Sequence, residues 1–215
     1  MQFKNREHAA YLLVERLRAS YKNKNPLVLG IPRGAVPMAQ IIADGLGGEL
    51  DVVLVRKLSH PDQPEFAIGA IDETGHACLA EWAADIDPQF VEAEKQRQLA
   101  VLRERRARYT PSRARIDPYD RIVIVVDDGI ATGSTITAAL RAVRAKKPKK
   151  LIGAVAVASP DAARAVLHEC DAMVCLKVSA DFFAVGQFFE DFTQVSDQDV
   201  IEVLRESESK ISAVG

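Results

Sequence analysis

Apolar and polar positions follow three rhythms along the chain. Near the start, Ala10, Val14, Leu17 and Tyr21 recur at helical spacing among polar neighbours, which predicts an amphipathic helix. An unbroken apolar run follows, Pro26 to Ile31 (PLVLGI), with the length and β-branching of a strand buried on both faces. VPMAQIIADGLGG then reads as a helix with Pro37 in its first turn and Gly47 near its end. Leu50 to Val55 (LDVVLV) reads as the next buried strand. Between 57 and 75 the rhythm breaks, and Pro61, Pro64, Gly69 and Gly75 predict a loop between short strands.

Residues 87–109 predict one long polar helix opening at Asp87-Pro88, and a connector with Pro111 and Pro118 follows. The basic stretch Arg103 to Arg108 (RERRAR) reads as a solvated helix face, because a run of charge binds an anion only where other groups converge on it. The second half alternates more cleanly: RIVIVVDD (strand), TITAALRAVRAKK (helix), LIGAVAVA (strand), DAARAVLHEC (helix), DAMVCLKV (strand). That order predicts an α/β fold, a parallel sheet with helices on both faces. Ligands of such sheets sit beyond the C-terminal strand ends. Ser196 with Asp199 predicts the N-cap of a last helix, and the polar residues from Ser207 on read as frayed.

Composition narrows the function classes. The 215 residues, 48% hydrophobic and 27% charged, suffice for one domain with a large core and no disulfide or metal staple. A net charge of -2 leaves no overall footprint for nucleic acid or an acidic membrane. No apolar run approaches the ~20 residues of a membrane span. Charges interrupt the first apolar stretch, which therefore does not read as a secretory signal. Three cysteines (Cys78, Cys170, Cys175) predict a reducing, cytoplasmic setting. The four histidines lack metal-ligand spacing, with His60 in the predicted loop the one to watch, and Trp82 either packs or faces a partner.

The most informative segment is Val123 to Thr135 (VIVVDDGIATGST). An apolar strand ends in two carboxylates, Asp127 and Asp128, which can accept hydrogen bonds from vicinal sugar hydroxyls or hold a divalent metal. A short loop, Gly129 and Ile130 and then Ala131, Thr132, Gly133, Ser134 and Thr135, leads into a helix whose first N–H groups and hydroxyls can cradle a phosphate. Ordinary N-capping explains one hydroxyl, but not two like charges side by side after a buried strand. The endings of a P-loop and of a dinucleotide fingerprint are both absent.

This segment resembles the phosphoribosyl-pyrophosphate signature of type I phosphoribosyltransferases, and the resemblance extends over about residues 26–178. It implies that family's parallel-sheet core, about 20–80 and 119–178 here, under a small hood built from an inserted long helix (81–118) and the C-terminal segment (179–206) of a single domain. The loop at Pro32, Arg33 and Gly34 resembles the family's pyrophosphate loop: Gly34 allows close backbone approach and Arg33 a bidentate contact to phosphate. Arg56 and Lys57 stand where the family places a pyrophosphate contact before a mobile loop that closes over the site. Arg56-Lys57 followed by Pro64-Glu65 is loosely similar to the adenine branch. Branches acting on 6-oxopurines carry an aspartate where this chain has Ala131, which weighs against such an acceptor. The Phe-rich stretch holds Phe182, Phe183, Phe188, Phe189 and Phe192, read chiefly as core, with Phe183 the candidate to stack on an acceptor. With the two basic loops it resembles a bacterial group known only as predicted phosphoribosyltransferases, which names no acceptor.

The implied activity is phosphoribosyl transfer from phosphoribosyl pyrophosphate to a nitrogenous acceptor with release of pyrophosphate. Asp127, Asp128, Arg33 and Lys57 would be its catalytic residues. Mg²⁺ would be its cofactor at Asp127 and Asp128, and the family suggests a homodimer. Two other readings stay open: a regulatory protein that binds phosphoribosyl pyrophosphate or nucleotide without turnover, and a hydrolase of phosphorylated ribose.

Overall fold

The computed structural model describes residues 2–63, 66–111 and 114–212. Its helices are α1 (Arg6–Tyr21), α2 (Ala35–Leu46), α3 (Pro88–Tyr109), α4 (Ser134–Arg144), α5 (Pro160–Leu167) and α6 (Asp197–Ser212). Its strands are β1 (Leu27–Gly30), β2 (Glu49–Val52), β3 (Val55–Ser59), β4 (Ala67–Asp72), β5 (Ala77–Leu79), β6 (Ile122–Ile130), β7 (Lys150–Ala158) and β8 (Ala172–Val178). Five strands form a parallel sheet in the order β2-β1-β6-β7-β8. This is the predicted α/β architecture.

Burial on both faces accounts for the unbroken apolar runs. Val28, Ile124, Val126, Ile152 and Ala154 share one core cluster with Leu13 and Leu17 of α1, Met38 and Ile42 of α2, and Val200 and Leu204 of α6. Their alternating neighbours Leu27, Leu29, Val123, Val125, Leu151 and Val155 pack with Ile136 and Leu140 of α4 and Val166 of α5. The helix ends are where the sequence puts them. Gly47 closes α2 at φ 66°, a left-handed position that suits glycine. Asp87 accepts a hydrogen bond from Gln89 N–H ahead of Pro88. Ser196 and Asp199 cap α6 reciprocally. Among the described residues no helix is long and apolar enough to cross a membrane.

Three expectations need correction. Residues 50–55 are not one strand: β2 ends at Val52, and from Val55 the chain enters a separate antiparallel sheet, β3-β4-β5. Arg56 and Lys57 therefore lie inside β3 rather than at the end of a core strand. The Arg103–Arg108 stretch is not wholly a solvated face. Arg106 turns inward to Asp51 and Glu73 and donates to the Val52 carbonyl at 2.9 Å, which fastens α3 across the C-terminal end of β2. The chain does not fray at Ser207, which is 5% exposed within α6.

The N-terminal residues also form part of the cover. Phe3 is fully buried, its N–H donates to the Phe188 carbonyl, and its own carbonyl accepts from Glu190 N–H, each at 2.8 Å. The first described residues thus run beside the segment 188–191.

Candidate active site

β1 and β6 are adjacent, so the loops that follow them meet. Ile31 N–H donates to the Val126 carbonyl at 3.0 Å and holds the Pro32–Gly34 loop against the end of β6. The Pro32–Arg33 peptide is cis. Gly34 lies so near Asp128 Oδ2 that no Cβ would fit between them. This closeness brings the loop and the acidic pair into one site.

Asp127 and Asp128 differ although they are neighbours. Asp128 Oδ2 is ion-paired to Arg6 Nε at 2.8 Å, with each side chain 14% exposed. Asp127 Oδ1 accepts from the Asp128 N–H at 3.0 Å. Burial and, secondarily, the Asp128 charge push the Asp127 carboxyl well above the usual carboxylate range, while Arg6 pulls it back. The sequence gives no local signal for Arg6, which is 122 residues from its partner.

The predicted phosphate cradle is a cavity of about 210 Å³ lined by Asp127, Gly129, Ile130, Ala131, Thr132, Gly133, Ser134, Thr135, Ile136 and Val185. Gly133 adopts φ 75° as α4 begins, a conformation that other residues rarely hold. Thr132 Oγ1 and Ser134 Oγ share a hydrogen bond at 3.0 Å, and Ser159 Oγ at the start of α5 donates to the Ala131 carbonyl at 2.7 Å, so hydroxyls within and beside the loop order it. Gly129 is also a packing position: a Cβ there would lie 2.6 Å from Val185 Cγ1 and 2.8 Å from Val157 Cγ1. Ile130 is 3% exposed, among core residues.

Other predicted residues lie farther out. Arg56 Nε donates to Gln98 of α3, and Lys57 is exposed on β3. Both belong to the antiparallel sheet, not to the two loops that flank the acidic pair. The comparison of Pro64-Glu65 with the adenine branch falls outside the described residues. His60 takes part in a turn, accepting from Asp62 N–H at Nδ1, and Trp82 packs on Phe66 with ring centroids 5.1 Å apart. The phenylalanines divide: Phe188 and Phe189 are core, Phe182 packs on Phe188, and Phe192 takes the Arg6 guanidinium on its face at 3.7 Å. Phe183 is 90% exposed.

Among the described residues no group of three or more His, Cys, Asp or Glu can cage a metal. Two adjacent carboxylates instead fit a hard cation shared with the oxygens of a substrate.

Comparison with known proteins gives the site its context. Residues 3–191 match the family model described as "Phosphoribosyl transferase domain". Two curated Mycobacterium tuberculosis proteins named by inference as phosphoribosyl transferases, MT0597 and Rv0571c, are each 39% identical over 99% of this chain. The chain spans about half their length, 48%. The crystal structure of TT1426 from Thermus thermophilus superposes with a TM-score of 0.88 at 44% identity, covering 96% of this chain and 99% of that one.

Proposed function

The chain belongs to the phosphoribosyl transferase domain family, and from that premise we propose that it transfers the 5-phosphoribosyl group of phosphoribosyl pyrophosphate to a nitrogenous acceptor, releasing pyrophosphate. One observation carries the reading: the acidic pair stands between two loops, with Gly34 close on one side and the 129–135 cavity opening on the other. A ligand with hydroxyls at its centre and phosphates at both ends matches that spacing.

Each group then has a task. The N–H groups at the start of α4, with the hydroxyls of Thr132, Ser134 and Thr135, hold the 5-phosphate. Asp127 and Asp128 accept from the ribose hydroxyls, and their negative charge favours the oxocarbenium character that develops as the C1–O bond breaks. Pro32, Arg33 and Gly34 receive the pyrophosphate, and Lys57 with Arg56 would reach it only if the antiparallel sheet moves toward those loops. Asp127 and Asp128 would hold Mg²⁺ jointly with substrate oxygens, where it neutralises charge on the leaving group. Phe183 offers an uncovered ring for an aromatic acceptor. Ala131 argues against a 6-oxopurine.

The test is calorimetric titration of phosphoribosyl pyrophosphate with Mg²⁺, followed by a screen of bases and amines for pyrophosphate release. The Asp127→Asn/Asp128→Asn variant should keep its circular dichroism spectrum and lose both binding and turnover. Undiminished binding by that variant would overturn the assignment.

A further inference from the structure

The family signature leaves the N-terminal helix without a role, yet a cation bound to the acidic pair comes from it. The Arg6 guanidinium is held on three sides: Nε donates to Asp128 Oδ2 at 2.8 Å, Nη1 donates to the Thr193 carbonyl at 2.8 Å, and its plane lies 3.7 Å from the centre of the Phe192 ring. Gly34 faces the same spot, where a Cβ would also meet Arg6 Nε at 3.1 Å. One side chain therefore touches the second acid, the loop after β1 and the C-terminal cover.

An arginine that merely pinned α1 to the core would not need a carboxylate of the donor site as its partner. A bare acidic pair also turns negative charge toward a donor that is itself polyanionic, and at short range in a partly buried site that repulsion is large. A guanidinium on Asp128 reduces it before any metal arrives. It also fixes which carboxylate oxygens remain: Oδ2 of Asp128 is committed, while Oδ1 of Asp128 and Oδ2 of Asp127 have no hydrogen-bond partner among the described residues.

We propose that Arg6 is a positioning residue of the donor site: it orients Asp128 for the ribose, cuts the charge of the acidic pair, and couples the Phe192–Thr193 cover to the loop at Gly34. The inference rests on the donor reading above. Lysine cannot replace it fully, because an ammonium lacks the planar fork that serves Asp128 and Thr193 while stacking on Phe192.

The experiment is titration of phosphoribosyl pyrophosphate with Mg²⁺ into the full chain and into Arg6→Lys, Arg6→Gln, Asp128→Asn and Arg6→Gln/Asp128→Asn, with a thermal melt of each. Arg6→Gln should weaken binding about tenfold or more, and Arg6→Lys should recover part of the loss. The double variant should bind no more weakly than Asp128→Asn alone, because Arg6 acts through that carboxylate. A purely structural arginine would instead lower the melting temperature and leave affinity unchanged below it, or add its effect to that of Asp128→Asn. Either result overturns the proposal. If Arg6→Gln does not fold, the same comparison is read from Arg6→Lys, whose wild-type affinity would overturn it. A wild-type chain that binds no phosphoribosyl pyrophosphate would overturn the donor reading, and this inference with it.

Discussion

Tyr109 shows how one buried side chain ties stability to pH. It is 1% exposed, and its hydroxyl donates to Asp197 Oδ1 at 2.5 Å. Burial first, then the Asp197 carboxylate, push the phenol up to about 12. An unfolded tyrosine gives up its proton near pH ~10. From there to about 12 the native state keeps a proton that the unfolded state has lost, so stability is full below about 10 and falls as pH rises. Urea unfolding from about pH 9 to 12 should show that decline in the wild type, and Tyr109→Phe should lack this part of it. An identical slope in both would exonerate the phenol. Asp197 has the opposite sign: the Tyr109 hydrogen bond holds its carboxyl below the usual range, so its contribution is lost as acid protonates it. Gly129 makes a second residue-scale prediction. A methyl there, 2.6 Å from Val185 and 2.8 Å from Val157, overpacks a site that cannot give on both sides. Gly129→Ala should cost about 1–3 kcal/mol in chemical denaturation, and a neutral result would mean that the Val185 turn yields freely.

At the scale of elements, α3 depends on one arginine. Arg106 bridges Asp51, which is 1% exposed, and Glu73, while Asp51 also accepts from Ile116 N–H. Removing the guanidinium takes an ion-pair partner from the buried Asp51 and from Glu73 at once, so Arg106→Ala should cost about 3–5 kcal/mol. Asp51→Asn/Arg106→Met should recover part of that by removing both charges, and equal losses in the two would place the effect in packing instead. The same helix shows which elements are legible in sequence. β1, β6 and β7 carry unbroken apolar runs because helices cover both faces, and α1 repeats its apolar residues on one face. β3 and β4 are legible only as short strands on either side of a loop, and their bounds and β5 are not, because Arg56, Lys57, Gly69 and Ala70 sit on a small half-exposed sheet with no period to read. The split of 50–55 is invisible for a related reason: Val53 and Leu54 remain buried while the chain changes sheets, so the apolar run continues through the break. The acidic pair and the 131–135 loop are legible because one contiguous segment supplies strand, carboxylates and helix start. Arg6 and Arg106 are not, because their partners lie 122 and 55 residues away.

At the scale of the whole molecule, contacts between the N-terminal residues and the segment 185–195 decide how the cover over the site comes apart. Phe3, Phe188 and Phe189 belong to the same core cluster as Val28 and Ile124 of the central strands, so no seam separates cover from sheet. The Phe3 ring lies 5.3 Å from that of Phe189, and its backbone bonds to both Phe188 and Glu190. A cover with its own small core would melt first and leave the sheet intact; one that shares the core should unfold with it. Phe3→Ala distinguishes the two. It empties a fully buried aromatic site and should cost about 3–5 kcal/mol. A shared core predicts that the whole transition shifts to lower temperature as a single step, with near-ultraviolet dichroism and tryptophan emission from Trp82 still coincident. It also predicts that the amides of Glu190 and Asp191, which bond to Phe3 and Lys4, lose hydrogen-exchange protection together with those of β1 and β6. A second, earlier transition in Phe3→Ala, with exchange confined to residues 185–195, would instead make the cover an independent unit.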